Sequence, residues 1–253
     1  MSSALTTPVQ QPRDLRPVPD VPSGRLPRLL VDGLDGAGKT TLVDALLALM
    51  AEHGIEAVRH RGMLAEHHPL EKPLKRLRLA RQYRSSPITG AYLAAGFALD
   101  ALLERFDPPR CGGAVLVQEG YVDRTIAVGL AGGPFLPALL ALWASRHFAA
   151  FDVAAFVHAD VEVRRERFAA REHLDDGDRN SVDNPGFADR FDAGLLHFLG
   201  RRHRTLLVFN TALHRPEEMA RQILAAAGLL PAAPAAAPVS GFGLAGPPAS
   251  ARA

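Results

Sequence analysis

Gly33-Leu34-Asp35-Gly36-Ala37-Gly38-Lys39-Thr40 follows the apolar triplet Leu29-Leu30-Val31 and opens a helical pattern over residues 40–52. The spacing G-x-x-x-x-G-K-[ST] has a mechanical reason. Its glycines permit backbone angles that aim successive N–H groups at one point, and the following helix adds its positive end. A strand before the motif and an amphipathic helix after it are the context in which it cradles phosphate. The triplet predicts a short buried strand. Leu42, Leu46, Leu49 and Met50 predict the buried face of the helix, and Gly54 its end.

Working outward, short apolar runs alternate with longer helical patterns. Strands are predicted to begin at Ala57-Val58 and to span 114–118, 153–157 and 206–209. Helices are predicted over 70–84 (basic), 89–106, 161–171, 187–199 and 216–226. Asp107-Pro108-Pro109 stops the second of these, and Pro216 starts the last. Residues 126–143 read as core helices broken at Gly132-Gly133-Pro134, with Trp143 in the core, and residues 172–186 read as a polar loop. This order implies an α/β fold: a five-stranded parallel sheet with helices on both faces.

The 253 residues divide into a proline-rich leader over 1–26, one domain over 27–230, and a Pro/Ala-rich tail over 231–253. Leader and tail are expected to be disordered. Composition is ordinary for a globular chain, at 47% hydrophobic and 22% charged. A formal charge of +2, despite a pI near 9.0, does not point to nucleic acid. The single Cys111 cannot form an internal disulfide, and no signal peptide or membrane span is visible, so a cytoplasmic location is expected. His53, His60, His67 and His68 lack zinc spacing. Asp183-Asn184-Pro185-Gly186 matches D-x-x-G, but no Asn-Lys-x-Asp accompanies it, which argues against a GTPase.

The predicted phosphate cradle comprises Gly33, Asp35, Gly36, Ala37, Gly38, Lys39, Thr40 and Thr41. Lys39 reaches the β- and γ-phosphates of ATP, and the Thr40 hydroxyl ligates Mg²⁺. In a doubly wound sheet the third strand delivers Glu119 to the same edge, where it holds Mg²⁺ through water. Asp123 and Arg124 follow on the next turn and read as ordinary exposed charges or, for Arg124, as a phosphate contact. Arg164, Arg165, Arg167, Arg171 and Arg179 fall within 16 positions. Arg167 and Arg171 share a helix face. The cluster is expected to supply cations on a closing loop, because phosphoryl transfer needs charge neutralised around the transferring group.

Over about Leu29 to Ala226 the chain resembles the thymidylate kinase family of nucleoside monophosphate kinases, on its loop Gly33 to Thr41 and its element order. The resemblance implies an arginine-rich lid and transfer of the ATP γ-phosphoryl to a nucleoside monophosphate, with Asp35 contacting the acceptor sugar. Gly36 stands where some members place a catalytic arginine; members without it use basic lid residues, a role that the resemblance gives to Arg167, Arg171 and Arg179. Three segments depart from the family. Its Asp-Arg-Tyr is Glu119-Gly120-Tyr121 here. Leu93 and Phe97 replace a stacking Phe and an Arg four positions on. Arg59-His60-Arg61-Gly62 stands near the place of its Arg-Glu-Pro-Gly-Gly segment. The chain is also similar to deoxynucleoside kinases, whose Glu-Arg-Ser follows the same strand. Expected partners are therefore ATP and a nucleoside or nucleotide acceptor, with room for a homodimer. A nucleoside or small-metabolite kinase and a non-catalytic P-loop binding protein are the alternatives.

Overall fold

The computed structural model describes residues 25–64, 87–106, 113–133, 135–171 and 176–231. The basic helix expected at 70–84, Cys111, the stop at 107–109 and nearly all of the leader and tail lie outside the described residues. Five strands form one sheet: β1 (Arg28–Asp32), β2 (Ala57–Arg61), β3 (Val115–Glu119), β4 (Val153–His158) and β5 (Thr205–Asn210). All neighbours are parallel, in the order β2-β3-β1-β4-β5.

The helices are α1 (Lys39–Glu52), α2 (Pro87–Phe106), α3 (Val122–Ala131), α4 (Phe135–Ala144), α5 (Val161–Ala169), α6 (Asp176–Asp183), α7 (Pro185–Arg202) and α8 (Pro216–Ala226). Side chains alternate along each strand, so each face of the sheet gets its own core. Leu29, Val31, Val115 and Val117 pack with Leu42 and Leu46 of α1 and with Met219 and Ile223 of α8. Leu30, Leu116, Ala154 and Phe156 face the other way, toward Ile126 of α3 and Phe191 and Leu195 of α7. Burial on both faces is why the inner strands read as unbroken apolar runs.

Three expectations are corrected. The loop predicted over 172–186 contains α6 and the start of α7. The α6 sequence carries no apolar stripe, so periodicity misses it. Its last turn is instead closed from outside: Arg164 donates to the Ser181 carbonyl at 2.7 Å, and Arg165 to that of Val182 at 2.9 Å. The Asn184 side chain accepts from Phe187 N–H at 3.1 Å and caps α7. Trp143 is 78% exposed rather than core. The buried side of α4 is taken by Pro137, Ala138 and Ala141, and a helix apolar all round does not declare which side that is. Asp123, which sequence allowed as a surface charge, is fully buried.

Asp123 sits beneath the C-terminal end of the sheet, at the start of α3. One nitrogen of Arg202 donates to both of its oxygens at 2.6 Å. The His203 Nδ1 accepts from Phe151 N–H at 3.2 Å, so Nε2 carries the proton and donates to Asp123 at 3.3 Å. Burial pushes the Asp123 carboxyl up, but Arg202 and His203 outweigh it and hold the group far below the usual carboxylate range. This ties α7 to the root of α3.

Candidate active site

The β1–β3 register pairs Val31 with Glu119, so the loop leaving β1 and the last residue of β3 emerge side by side. Between them opens a cleft of about 1200 Å³. Two glycines show why the loop takes this sequence. A Cβ on Gly33 would collide with the Val157 carbonyl. Gly36 has φ 78°, and a Cβ there would lie 2.9 Å from Cζ of Phe168 on α5. The position where the family resemblance offers an arginine is therefore closed by an aromatic ring.

Lys39 Nζ donates to the Gly33 and Leu34 carbonyls at 2.8 Å each and lies 3.4 Å from Asp35. Burial, and then the nearby Arg124 charge, lower its pKa to about 8. Arg124 spans the mouth of the loop, donating to the Gly33 carbonyl at 2.5 Å and to Asp35 at 2.6 Å while lying over the Phe191 ring. Behind them Asp32 is wholly buried, and burial lifts its pKa to about 6 against the pull of Arg124 and Lys39.

The Thr40 hydroxyl donates to Glu119 Oε1 at 2.8 Å. Arg59 and Arg61 also reach this carboxylate, at 2.5 and 2.7 Å. Burial raises the Glu119 pKa, but the hydrogen bonds from Arg61, Arg59 and Thr40 prevail and hold it below the usual carboxylate range. Two hard oxygens side by side at the end of a phosphate loop fit Mg²⁺, which takes one or two protein ligands and completes its shell with water and phosphate. Among the described residues no cluster of three or more His, Cys, Asp or Glu is placed to hold a metal ion.

The arginine cluster divides. Arg164 and Arg165 are structural, as above. Arg167 donates to the Gly36 carbonyl at 2.8 Å and to the Thr211 hydroxyl at 3.0 Å, docking α5 on the phosphate loop. Arg171 lines the cleft, lies over Phe168 and pairs with Asp178 at 3.7 Å. Arg179 is exposed on α6 and does not line the cleft. Of the cradle residues, Asp35, Gly36, Gly38, Thr40 and Thr41 line the cleft with Lys39. Ala37 is buried, and its carbonyl accepts from Thr211. Sequence places Arg59 and Arg61 only near a family segment and gives them no role in the site. Their signal was the i, i+2 spacing on an edge strand, which turns both toward one face.

No family model and no curated protein matches this chain. Among solved structures, a thymidylate kinase from Candida albicans is similar in fold. It has a TM-score of 0.53 at 15% identity, covering 78% of this chain and 89% of that one. Identity this low establishes the thymidylate-kinase-like α/β fold alone. Among the described residues no helix is long and apolar enough to cross a membrane.

Proposed function

We propose that the chain is an ATP-dependent phosphotransferase acting on a nucleoside monophosphate, dTMP or a related nucleotide. The observation that carries the reading is one cleft lined both by Lys39, Thr40 and Glu119, which we assign to the donor, and by Tyr92, Leu93, Phe97 and Tyr121, which we assign to the acceptor, with Asp35 and Arg124 also on its wall. ATP would place its β- and γ-phosphates in the loop. Lys39 would exchange the carbonyls of Gly33 and Leu34 for phosphate oxygens, while Arg124 and the lid cations Arg167 and Arg171 neutralise charge on the moving phosphoryl group. Mg²⁺, when bound by Thr40 and Glu119, supplies further charge neutralisation. The bond from the γ-phosphorus to the β–γ bridging oxygen breaks as the acceptor oxygen bonds. A monophosphate attacks through an oxygen already ionised, so the site needs no general base for it. Arg179 is kept as a third lid cation that would reach the cleft only if α6 shifts.

A specific observation keeps the nucleoside acceptor as a second reading. Phe97, at the family's arginine position, is buried and meets the Phe148 ring edge-on at 5.7 Å. That wall is apolar where a phosphate would want a cation. The test is transfer from radiolabelled ATP to dTMP and to thymidine in parallel. Transfer to dTMP alone is expected. Transfer to thymidine alone selects the second reading. ATP binding with no transfer to any nucleoside, nucleotide or small metabolite leaves a binding protein and overturns both.

We also infer a homodimer through α4. Phe135, Leu136, Leu139, Leu140 and Trp143 form two adjacent i, i+4 ridges on its exposed side. Taking exposed Leu, Phe and Trp at roughly 150–250 Å² each, these five present roughly 600 Å² of apolar surface. A standard-size protein–protein interface buries about 800 Å² per partner, and homodimer interfaces are about 65% apolar, so the face supplies the apolar share of an interface of that smaller size. Trp143 is the sole tryptophan, so its fluorescence reports the contact directly. Dilution is expected to red-shift its emission as light scattering falls from dimer to monomer mass, and Trp143→Glu is expected to be monomeric throughout. A wild-type monomer at high concentration would sink the inference.

A further inference from the structure

Strand β2 is one of the two outer strands of the sheet, paired in register with β3 so that Arg61 stands beside Glu119 and Arg59 beside Val117. Alternation along the strand turns Arg59 and Arg61 to the face on which α1 lies, while His60 turns to the other and meets Gln118. The two arginines then converge on one carboxylate, but they are held differently. Arg59 is braced from behind by Asp44 of α1, at 2.8 Å, and grips Glu119 Oε2. Arg61 has a side chain 67% exposed. Its nitrogen lies 2.7 Å from Glu119 Oε1 and 3.3 Å from the Thr40 hydroxyl oxygen.

Those last two atoms are the oxygens that the proposed function assigns to the divalent cation, and this inference rests on that reading. The Arg61 guanidinium bridges them as a small cation would. A metal ion and a guanidinium cannot both hold Oε1 with Arg59 already on Oε2, because their charges would repel at contact distance. We propose that Arg61 is the built-in counter-cation of the Thr40–Glu119 oxygen pair, and that the divalent cation entering with the nucleotide replaces it. Arg59 stays in place and acts as a positioning residue, keeping Glu119 aimed at the cation site. Arg61 therefore sets how tightly the site takes its metal, and the exposure of its side chain lets it leave without disturbing the core.

The test measures Mn²⁺ binding to the full-length protein by electron paramagnetic resonance, in the presence of ADP and without any acceptor. Arg61→Met keeps the aliphatic stem and removes the competing charge. It is expected to tighten Mn²⁺ binding about tenfold, the worth of one ion pair with its hydrogen bond. Arg59→Met is expected to bind Mn²⁺ no more tightly than the unaltered protein. Unchanged or weaker Mn²⁺ binding in Arg61→Met overturns the proposal, as does an equal gain in both variants. If Arg61→Met fails to give a cooperative melt, Arg61→Gln replaces it with the same expectation. Failure of the nucleotide reading is seen separately, as absence of ADP binding to the unaltered protein. Mn²⁺ titrated alone then decides whether Arg61 competes at the oxygen pair.

Discussion

Lys39→Met is expected to lower kcat by about 10²–10³-fold, the loss that follows removal of one preorganised donor aimed at developing charge. Lys39 is nearly buried, its side chain 11% exposed. Arg124 is the nearest candidate to replace it, but its two terminal nitrogens are engaged by the Gly33 carbonyl and Asp35. The variant should fold, since the Gly33 carbonyl keeps its bond from Arg124 and the Leu34 carbonyl keeps its bond from Ala37 N–H. Steady-state transfer at saturating ATP, with a thermal melt alongside, checks this. Activity within tenfold of the unaltered protein would remove Lys39 from the chemistry.

The second large effect is on stability. Asp123→Asn should cost about 3–5 kcal/mol, because it leaves the Arg202 guanidinium buried against a neutral amide. Urea unfolding at pH 7 measures it, and a loss below about 1 kcal/mol would show that the ion pair contributes little. The pH dependence has a definite sign. The folded carboxyl sits far below its unfolded value, so its stabilisation is complete above about pH 4 and drains away as pH falls toward the folded value. His203 acts in the same direction. Burial lowers its pKa, so below about pH 6.5 the unfolded chain takes up a proton that the folded one refuses. Stability of the unaltered protein is therefore expected to decline on acidification from pH 7. The difference from Asp123→Asn should narrow below pH 4.

The strands were legible because each inner one is a run of Leu, Val and Ala buried on both faces, a signal independent of any partner. The phosphate loop was legible because its geometry is local: glycine freedom, a lysine and a hydroxyl at fixed spacing. What sequence missed depends on contacts between distant segments. Helix α6 is polar and is closed by Arg164 and Arg165 of α5. The side of α4 that faces solvent was decided by which neighbours arrived, so Trp143 was assigned wrongly. The arginines on Glu119 became visible only once β2 was placed in register beside β3, some 58 residues further along the chain.

Phe168 resting on Gly36 bears on how this chain can change over generations. An arginine at position 36 would have to enter a left-handed backbone and a space filled by the ring, so that substitution alone would be purged before it could help. Shrinking Phe168 first opens a hole beside the phosphate loop and weakens the docking of α5. Even then the left-handed strain at position 36 remains, so a lineage that starts from this loop is held to supplying its cations from α5 and beyond.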